Sequence, residues 1–147
     1  MKKSLFLDII CCLLIALFFY AALSKWVNFD TFQGDMGKQP LPSWFTRLLI
    51  WLLPPIEIVI AFLLMFDRTK LVALLASLVL MGAFTVYTAA AIFNVFPSRP
   101  CGCGGIIREL SWTQHFYFNL FFVAISFIGI SLQKQLKKKI ELIATYS

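Results

Sequence analysis

The chain has 147 residues, of which 61% are hydrophobic, and a formal net charge of +6 at pH 7. With a mean hydropathy of +0.86, it has too few polar residues to cover the surface of a soluble domain of this length. The positive charge does not indicate nucleic acid as a partner, because its densest cluster directly follows the last apolar run.

Four apolar runs are each about 20 residues long, enough for a helix to cross about 30 Å of hydrocarbon. Because the runs are continuous rather than alternating, they predict helices and not the strands of a membrane barrel. We expect an all-α fold, a four-helix antiparallel bundle in one domain over residues 1–147. The expected helices are at about 5–25, 46–66, 70–94 and 112–133, with a basic amphipathic tail at 134–147.

The first run follows two lysines, as the apolar core of a secretion signal does. Asp8 interrupts the run, and no small-x-small cleavage site precedes Lys25, so we expect it to stay as a membrane helix. Asp8 is close enough to the helix end to reach water. Cys11 and Cys12 point to different faces of the helix, and we expect packing to be their role.

An aromatic loop precedes the second helix, which contains a proline pair. The loop, about residues 24–46, favours the interface between headgroups and water, because it holds Trp26, Phe29, Phe32, Trp44 and Phe45. Pro54 and Pro55 remove backbone hydrogen bonds and predict a bend. Glu57 is a candidate functional residue, because an ionisable group inside a span is costly. We expect it to face protein, with a hydrogen-bonding partner on another helix.

Two cysteines lie in the short polar segment between the third and fourth runs, as Cys101-Gly-Cys103-Gly104-Gly105. A Cys-x-Cys pair at a membrane surface can form a strained disulfide, hold a soft metal or react with the thiols of a partner. Gly104 and Gly105 accept backbone conformations that are barred to other residues. A sharp reversal there would bring the sulfurs close to His115.

The start of the fourth helix is marked by a capping box. Ser111 is followed three residues later by Gln114, the spacing at which each side chain can bond the backbone N–H of the other. Trp112 is therefore the predicted first residue of the helix.

Polar groups from three helices are predicted to meet below the cysteine pair. His115 and Asn119 are four residues apart and share a helix face with Trp112. Tyr87 of the third helix and Lys25 at the end of the first should reach the same level. A histidine at a helix end is often only structural, but these five groups together predict a functional cluster.

Basic residues set the orientation of membrane helices. With both termini in the cytoplasm, the inner side carries eight of the 13 Lys and Arg residues: Lys2, Lys3, Arg68, Lys70, Lys134, Lys137, Lys138 and Lys139. We therefore expect a multi-pass protein of the bacterial inner membrane whose cysteine pair faces the periplasm, where disulfides persist. The lysine-rich tail is expected either to lie along anionic lipid headgroups or to continue the fourth helix into solvent.

Five segments resemble, in order and spacing, the MauE family of methylamine-utilisation membrane proteins, within the wider DoxX-like group: Lys25–Phe32, Pro54–Glu57, Phe84–Tyr87, Cys101–Gly105 and Ser111–Asn119. The resemblance implies a four-helix membrane protein that assists redox maturation of exported, disulfide-rich proteins together with a thioredoxin-like partner. It also implies that Cys101 and Cys103 are the redox pair. Glu57, His115 and Asn119 match polar positions of the family, without a role that the family supplies, and the lysine-rich tail departs from it.

Three hypotheses stay open. The first is an outward-facing thiol–disulfide oxidoreductase, or an accessory to one, in which Cys101 and Cys103 react and the polar cluster relays protons or binds a quinone. The second is a non-enzymatic metal protein with Cu(I) or Zn(II) on Cys101, Cys103 and His115. The third is an assembly subunit that docks a partner protein and uses the disulfide only to staple its loop.

Overall fold

The computed structural model describes residues 2–95 and 111–146, and all regular structure within these ranges is helical. The helices are α1 (Lys2–Val27), α2 (Phe29–Gly37), α3 (Ser43–Leu64), α4 (Lys70–Ile92) and α5 (Trp112–Tyr146). Four of them, α1, α3, α4 and α5, are long and apolar enough to cross a membrane. The prediction of an all-helical protein with four long apolar spans is therefore confirmed.

The long helices contact one another in a closed ring. α1 packs against α3, α3 against α4, α4 against α5 and α5 against α1, and the α4–α5 contact is the most extensive. Their shared core includes Leu14, Phe18, Leu64 and Leu74, each at most 1% exposed. The outward faces carry exposed apolar side chains such as Val79, as expected where lipid is the neighbour.

One glycine allows α5 to approach its neighbours closely. A Cβ atom added at Gly129 would lie 3.0 Å from Leu74 Cδ2 and 3.2 Å from Ile10 Cγ2. Helices in lipid associate mainly through close van der Waals contact, which small residues at the interface permit. Gly129 therefore fixes the spacing of α5 against both α1 and α4.

The aromatic loop contains a helix, α2, that the sequence pattern did not predict. Phe32 and Met36 lie on one face of it, 3% and 4% exposed, and pack with Ile50 and Leu53 of α3. Phe32 is thus inside the protein and not at the headgroup interface, where the loop as a whole was placed from the sequence. Trp44 is exposed and remains available to that interface.

The predicted capping box opens α5. The Gln114 N–H donates to Ser111 Oγ at 3.3 Å, and the Ser111 N–H donates to Gln114 Oε1 at 2.9 Å. Two backbone donors that the helix start would leave unpaired are thereby satisfied. Trp112 is the first residue of the helix, as predicted.

The lysine-rich tail continues α5 without a break to Tyr146. Lys134 and the lysines at 137–139 are exposed. Lys3 Nζ donates to Gln135 Oε1 at 2.8 Å. This bond joins the first turn of α1 to the C-terminal part of α5.

An ion cluster occupies the end of the molecule opposite the cavity described below. Lys70 Nζ lies 2.7 Å from Asp67 Oδ1 and 3.4 Å from Asp8 Oδ1. The hydrogen bond and charge of Lys70 lower the pKa of Asp67, whose side chain is almost fully exposed. Asp8 is 55% exposed, and its contact with water stays a prediction. Cys11 is buried and Cys12 exposed, both as free thiols.

Candidate functional site

A cavity of about 290 Å³ lies where α1 and α4 end and α3 and α5 begin. All five helices contribute to its wall, which is mostly apolar. Its aromatic side chains come from every one of these helices: Phe18, Phe32, Phe45, Phe84, Tyr87, Trp112 and Phe118. The short helix α2 covers part of the cavity through Phe32 and Met36.

A buried ion pair forms part of the cavity wall. Lys25 Nζ lies 2.9 Å from Glu57 Oε1 and 3.1 Å from Oε2, and the two side chains are 7% and 2% exposed. Lys25 Nζ also donates to the carbonyl oxygen of Ala21 at 3.3 Å. The lysine side chain therefore runs back along α1 to reach Glu57. Glu57 faces protein, and its partner is on another helix, as the sequence predicts.

The geometry of this pair accounts for its burial. Removing two charges from water is expensive, and their attraction offsets that cost only when the remaining hydrogen-bonding groups are satisfied. The ammonium group of Lys25 has three N–H donors, and three acceptor oxygens surround it, two from Glu57 and one from Ala21. The donors of Lys25 are thus fully used within the protein.

A second polar contact closes the cavity on the α2 side. The Tyr87 hydroxyl donates to Gln39 Oε1, and Gln39 Nε2 donates to the Asp35 carbonyl at 3.1 Å. Gln39 is 6% exposed and lines the cavity. It was missed from the sequence, because a glutamine in a loop before Pro40 carries no signal of burial. Its position depends on α2, which the sequence pattern did not reveal.

Asn119 presents an unsatisfied amide to the cavity. Its side chain lines the wall and the residue is 8% exposed. Within residues 2–95 and 111–146, its amide has no hydrogen-bond partner. His115, one turn earlier, is half-buried and lines the same cavity.

The structure brings together the five groups that the sequence placed at one level. Lys25, Tyr87, Trp112, His115 and Asn119 all line the cavity. Helical register and the order of the apolar runs were enough to predict this meeting. The chemical roles of the five residues stay predictions.

The cysteine pair lies outside the described residues. Cys101, Cys103, Gly104 and Gly105 belong to the segment that joins α4 to α5, so the predicted approach of the sulfurs to His115 stays a prediction. In the described part of the chain, no group of three or more His, Cys, Asp or Glu side chains is placed to hold a metal ion. The hypothetical metal set of Cys101, Cys103 and His115 likewise depends on the undescribed segment.

The fold and the cavity together define a multi-pass helical membrane protein with an internal, mostly apolar site that contains a few polar groups. The family described as Methylamine utilisation protein MauE matches residues 3–132. The chain belongs to that family. No curated protein and no solved structure matches the chain significantly.

Proposed function

We propose that the protein assists thiol–disulfide maturation of exported proteins, with Cys101 and Cys103 as the exchanging pair. The observation that carries the proposal is the position of the cavity and of the polar side chains in its wall. The cavity lies where α4 ends and α5 begins, and the chain between those two points contains both cysteines. Membership of the MauE family supports a role in the same process, because the family resemblance implies redox maturation of exported proteins.

The proposal includes an orientation in the bacterial inner membrane. The four spans form an antiparallel bundle with both termini in the cytoplasm, and the cavity lies toward the periplasm. The ion pairing of Lys70 and the tether between Lys3 and Gln135 support this assignment, because they place basic residues together at the opposite end. Basic residues accumulate on the cytoplasmic side of membrane proteins.

The exchange itself follows ordinary thiol chemistry. A thiolate of the exported protein attacks one sulfur of the Cys101–Cys103 disulfide, so that this bond breaks, a mixed disulfide forms and the other cysteine leaves as a thiolate. A second thiolate of the exported protein then attacks that protein's own sulfur in the mixed disulfide. The mixed disulfide breaks, a disulfide forms within the exported protein and the remaining cysteine of the pair leaves as a thiolate. Two electrons and two protons thereby pass from the exported dithiol to Cys101 and Cys103. His115, in the first turn of α5, is the residue to which we assign proton uptake or thiolate stabilisation.

A thioredoxin-like protein or the exported disulfide-rich protein itself is the proposed partner. Co-purification from native membranes identifies which of them binds. A reduced dicysteine peptide serves as the probe for exchange with the purified protein. Its oxidation is followed by the loss of free thiols.

Cysteine variants test the proposal. Cys101→Ser and Cys103→Ser should each abolish oxidation of the peptide, while His115→Ala should slow it without unfolding the protein. Cys12→Ser is the matched control, because Cys12 is an exposed thiol far along the chain from the pair, and it should leave the rate unchanged. If the Cys101→Ser/Cys103→Ser double variant still matured the native partner at the wild-type rate, the assembly-subunit hypothesis would replace this one. Copper or zinc that is lost with both cysteines would instead support the metal hypothesis.

A further inference from the structure

We propose that the cavity binds the ring of a membrane quinone and of the corresponding quinol, with Asn119 and Glu57 as the hydrogen-bonding groups. The choice of a quinone rests on the proposed function, because a reduced cysteine pair needs an acceptor of two electrons and two protons. In that step two S–H bonds break, one S–S bond forms, and the quinone takes up both electrons and both protons to become the quinol. The capacity of the cavity for a polar aromatic ring rests on its own geometry.

The size of the cavity suits such a ring. An apolar cavity of about 150 Å³ is enough to hold benzene, and this cavity has about 290 Å³. A substituted six-membered ring and the first part of an apolar tail therefore fit. The rest of a long tail belongs in lipid.

The wall favours a flat aromatic ligand. Seven aromatic side chains from all five helices face the cavity. Aromatic rings prefer offset-stacked or edge-to-face neighbours, and such pairs stabilise a complex beyond the burial of their area. An arrangement of rings around the whole wall offers these contacts to either face of a bound ring.

The side-chain amide of Asn119, unpaired within residues 2–95 and 111–146, is the observation that points to a ligand. A buried side-chain amide nearly always has a hydrogen-bond partner in the protein or in ordered water. Asn119 is more than nine-tenths buried and faces the cavity without such a partner in the described part of the chain. Its NH₂ group can donate to a quinone carbonyl, and its oxygen can accept from a quinol hydroxyl. One residue thus serves both redox forms.

The ion pair adds a preference between the two forms. The three donors of Lys25 are already used by Glu57 and Ala21. Each carboxylate oxygen of Glu57 accepts one hydrogen bond from Lys25 and has capacity for another. The carboxylate can therefore accept a hydrogen bond from a quinol hydroxyl, whereas a quinone carbonyl has no hydrogen to donate. The site should bind the quinol more tightly than the quinone.

Binding of tritiated decylubiquinone and decylubiquinol to the purified protein in detergent tests the inference. Asn119→Leu should weaken binding of both forms about tenfold, the loss expected for one hydrogen bond left unmade in a buried site. Glu57→Gln should reduce the preference for the quinol, because the amide replaces one acceptor with a donor. Tyr117→Phe is the matched control, since Tyr117 is a polar aromatic residue on the same helix and is 65% exposed. This variant should bind both probes with wild-type affinity.

Two outcomes overturn the inference. One is wild-type affinity of Asn119→Leu for both forms, which would mean that the apolar wall alone holds the probe, as it would hold a lipid chain. The other comes from unaltered protein and so does not depend on a variant folding: a photoreactive azidoquinone that labels no peptide of the cavity wall. Labelling within residues 112–119 or 17–25 is the expected result.

The same measurements separate this inference from the proposed function. Cys101→Ser/Cys103→Ser should bind decylubiquinone with wild-type affinity. If binding persists while the cysteine pair is inert toward the dicysteine peptide, only the proposed function fails. If the pair exchanges with the peptide while no quinone binds, only the quinone site fails.

Discussion

Removal of one member of the Lys25–Glu57 pair should destabilise the protein far more than removal of both. Each charge is more than nine-tenths buried, and the ammonium group lies 2.9 and 3.1 Å from the two carboxylate oxygens. Breaking a buried pair leaves an uncompensated charge, at a cost of about 3–5 kcal/mol. We expect this cost for Lys25→Met and for Glu57→Leu. The double variant removes both charges and should be close to neutral, because apolar replacements of a buried pair are often neutral or stabilising.

Reversible unfolding in mixed detergent micelles, titrated with sodium dodecyl sulfate, measures these differences. The two single variants together should lose about 6 kcal/mol or more, whereas the double variant stays near wild type, so the effects are strongly non-additive. Leu23→Met and Phe62→Leu are controls on the exposed faces of the same two helices, and each should change stability by less than about 0.5 kcal/mol. A double variant as unstable as the worse single variant would refute the argument, because the two residues would then not act as a pair.

Two further predictions concern the rest of the fold. Gly129→Val should lower stability by about 1–3 kcal/mol in the same titration, because an added Cβ already lies 3.0 Å from Leu74 Cδ2. Gly82→Val is the control, since nothing lies within 4 Å of its added Cβ. Equal losses of stability in the two variants would contradict the close approach at Gly129. Lys70 lowers the pKa of Asp67, so the contribution of Asp67 to stability is present above about pH 4 and is lost as the pH falls through the lowered pKa. Asp67→Asn should therefore cost at most about 1 kcal/mol at pH 7 and nothing in strong acid, and a difference that grows on acidification would contradict the assigned sign.

The parts of the fold that depend on local sequence could be predicted. Continuous apolar runs predict the four spans, because only a helix satisfies its own backbone in lipid. The spacing of Ser111 and Gln114 predicts the start of α5, because the capping box is formed within four residues. The meeting of Tyr87 and His115 at one cavity follows from helical register and the order of the apolar runs.

The parts that depend on contacts between distant segments could not be predicted. α2 has low hydrophobicity and contains Gly34 and Gly37, which locally favour a loop, and the burial of Phe32 against α3 gives it a fixed place. The sequence singled out Lys25 and Glu57 but not their pairing. That pairing depends on the offset of α1 against α3 and on the lysine side chain turning back along its own helix.

We propose that Cys101 and Cys103 cycle between a disulfide and two thiols on the periplasmic side of the membrane. The most direct test is mass-tag alkylation of intact cells with a membrane-impermeant maleimide, before and after mild reduction. A Cys11→Ser/Cys12→Ser background leaves only these two of the four cysteines in the chain. We expect no tag before reduction and two tags after it. Two tags without reduction, or no tag even after reduction, would contradict it.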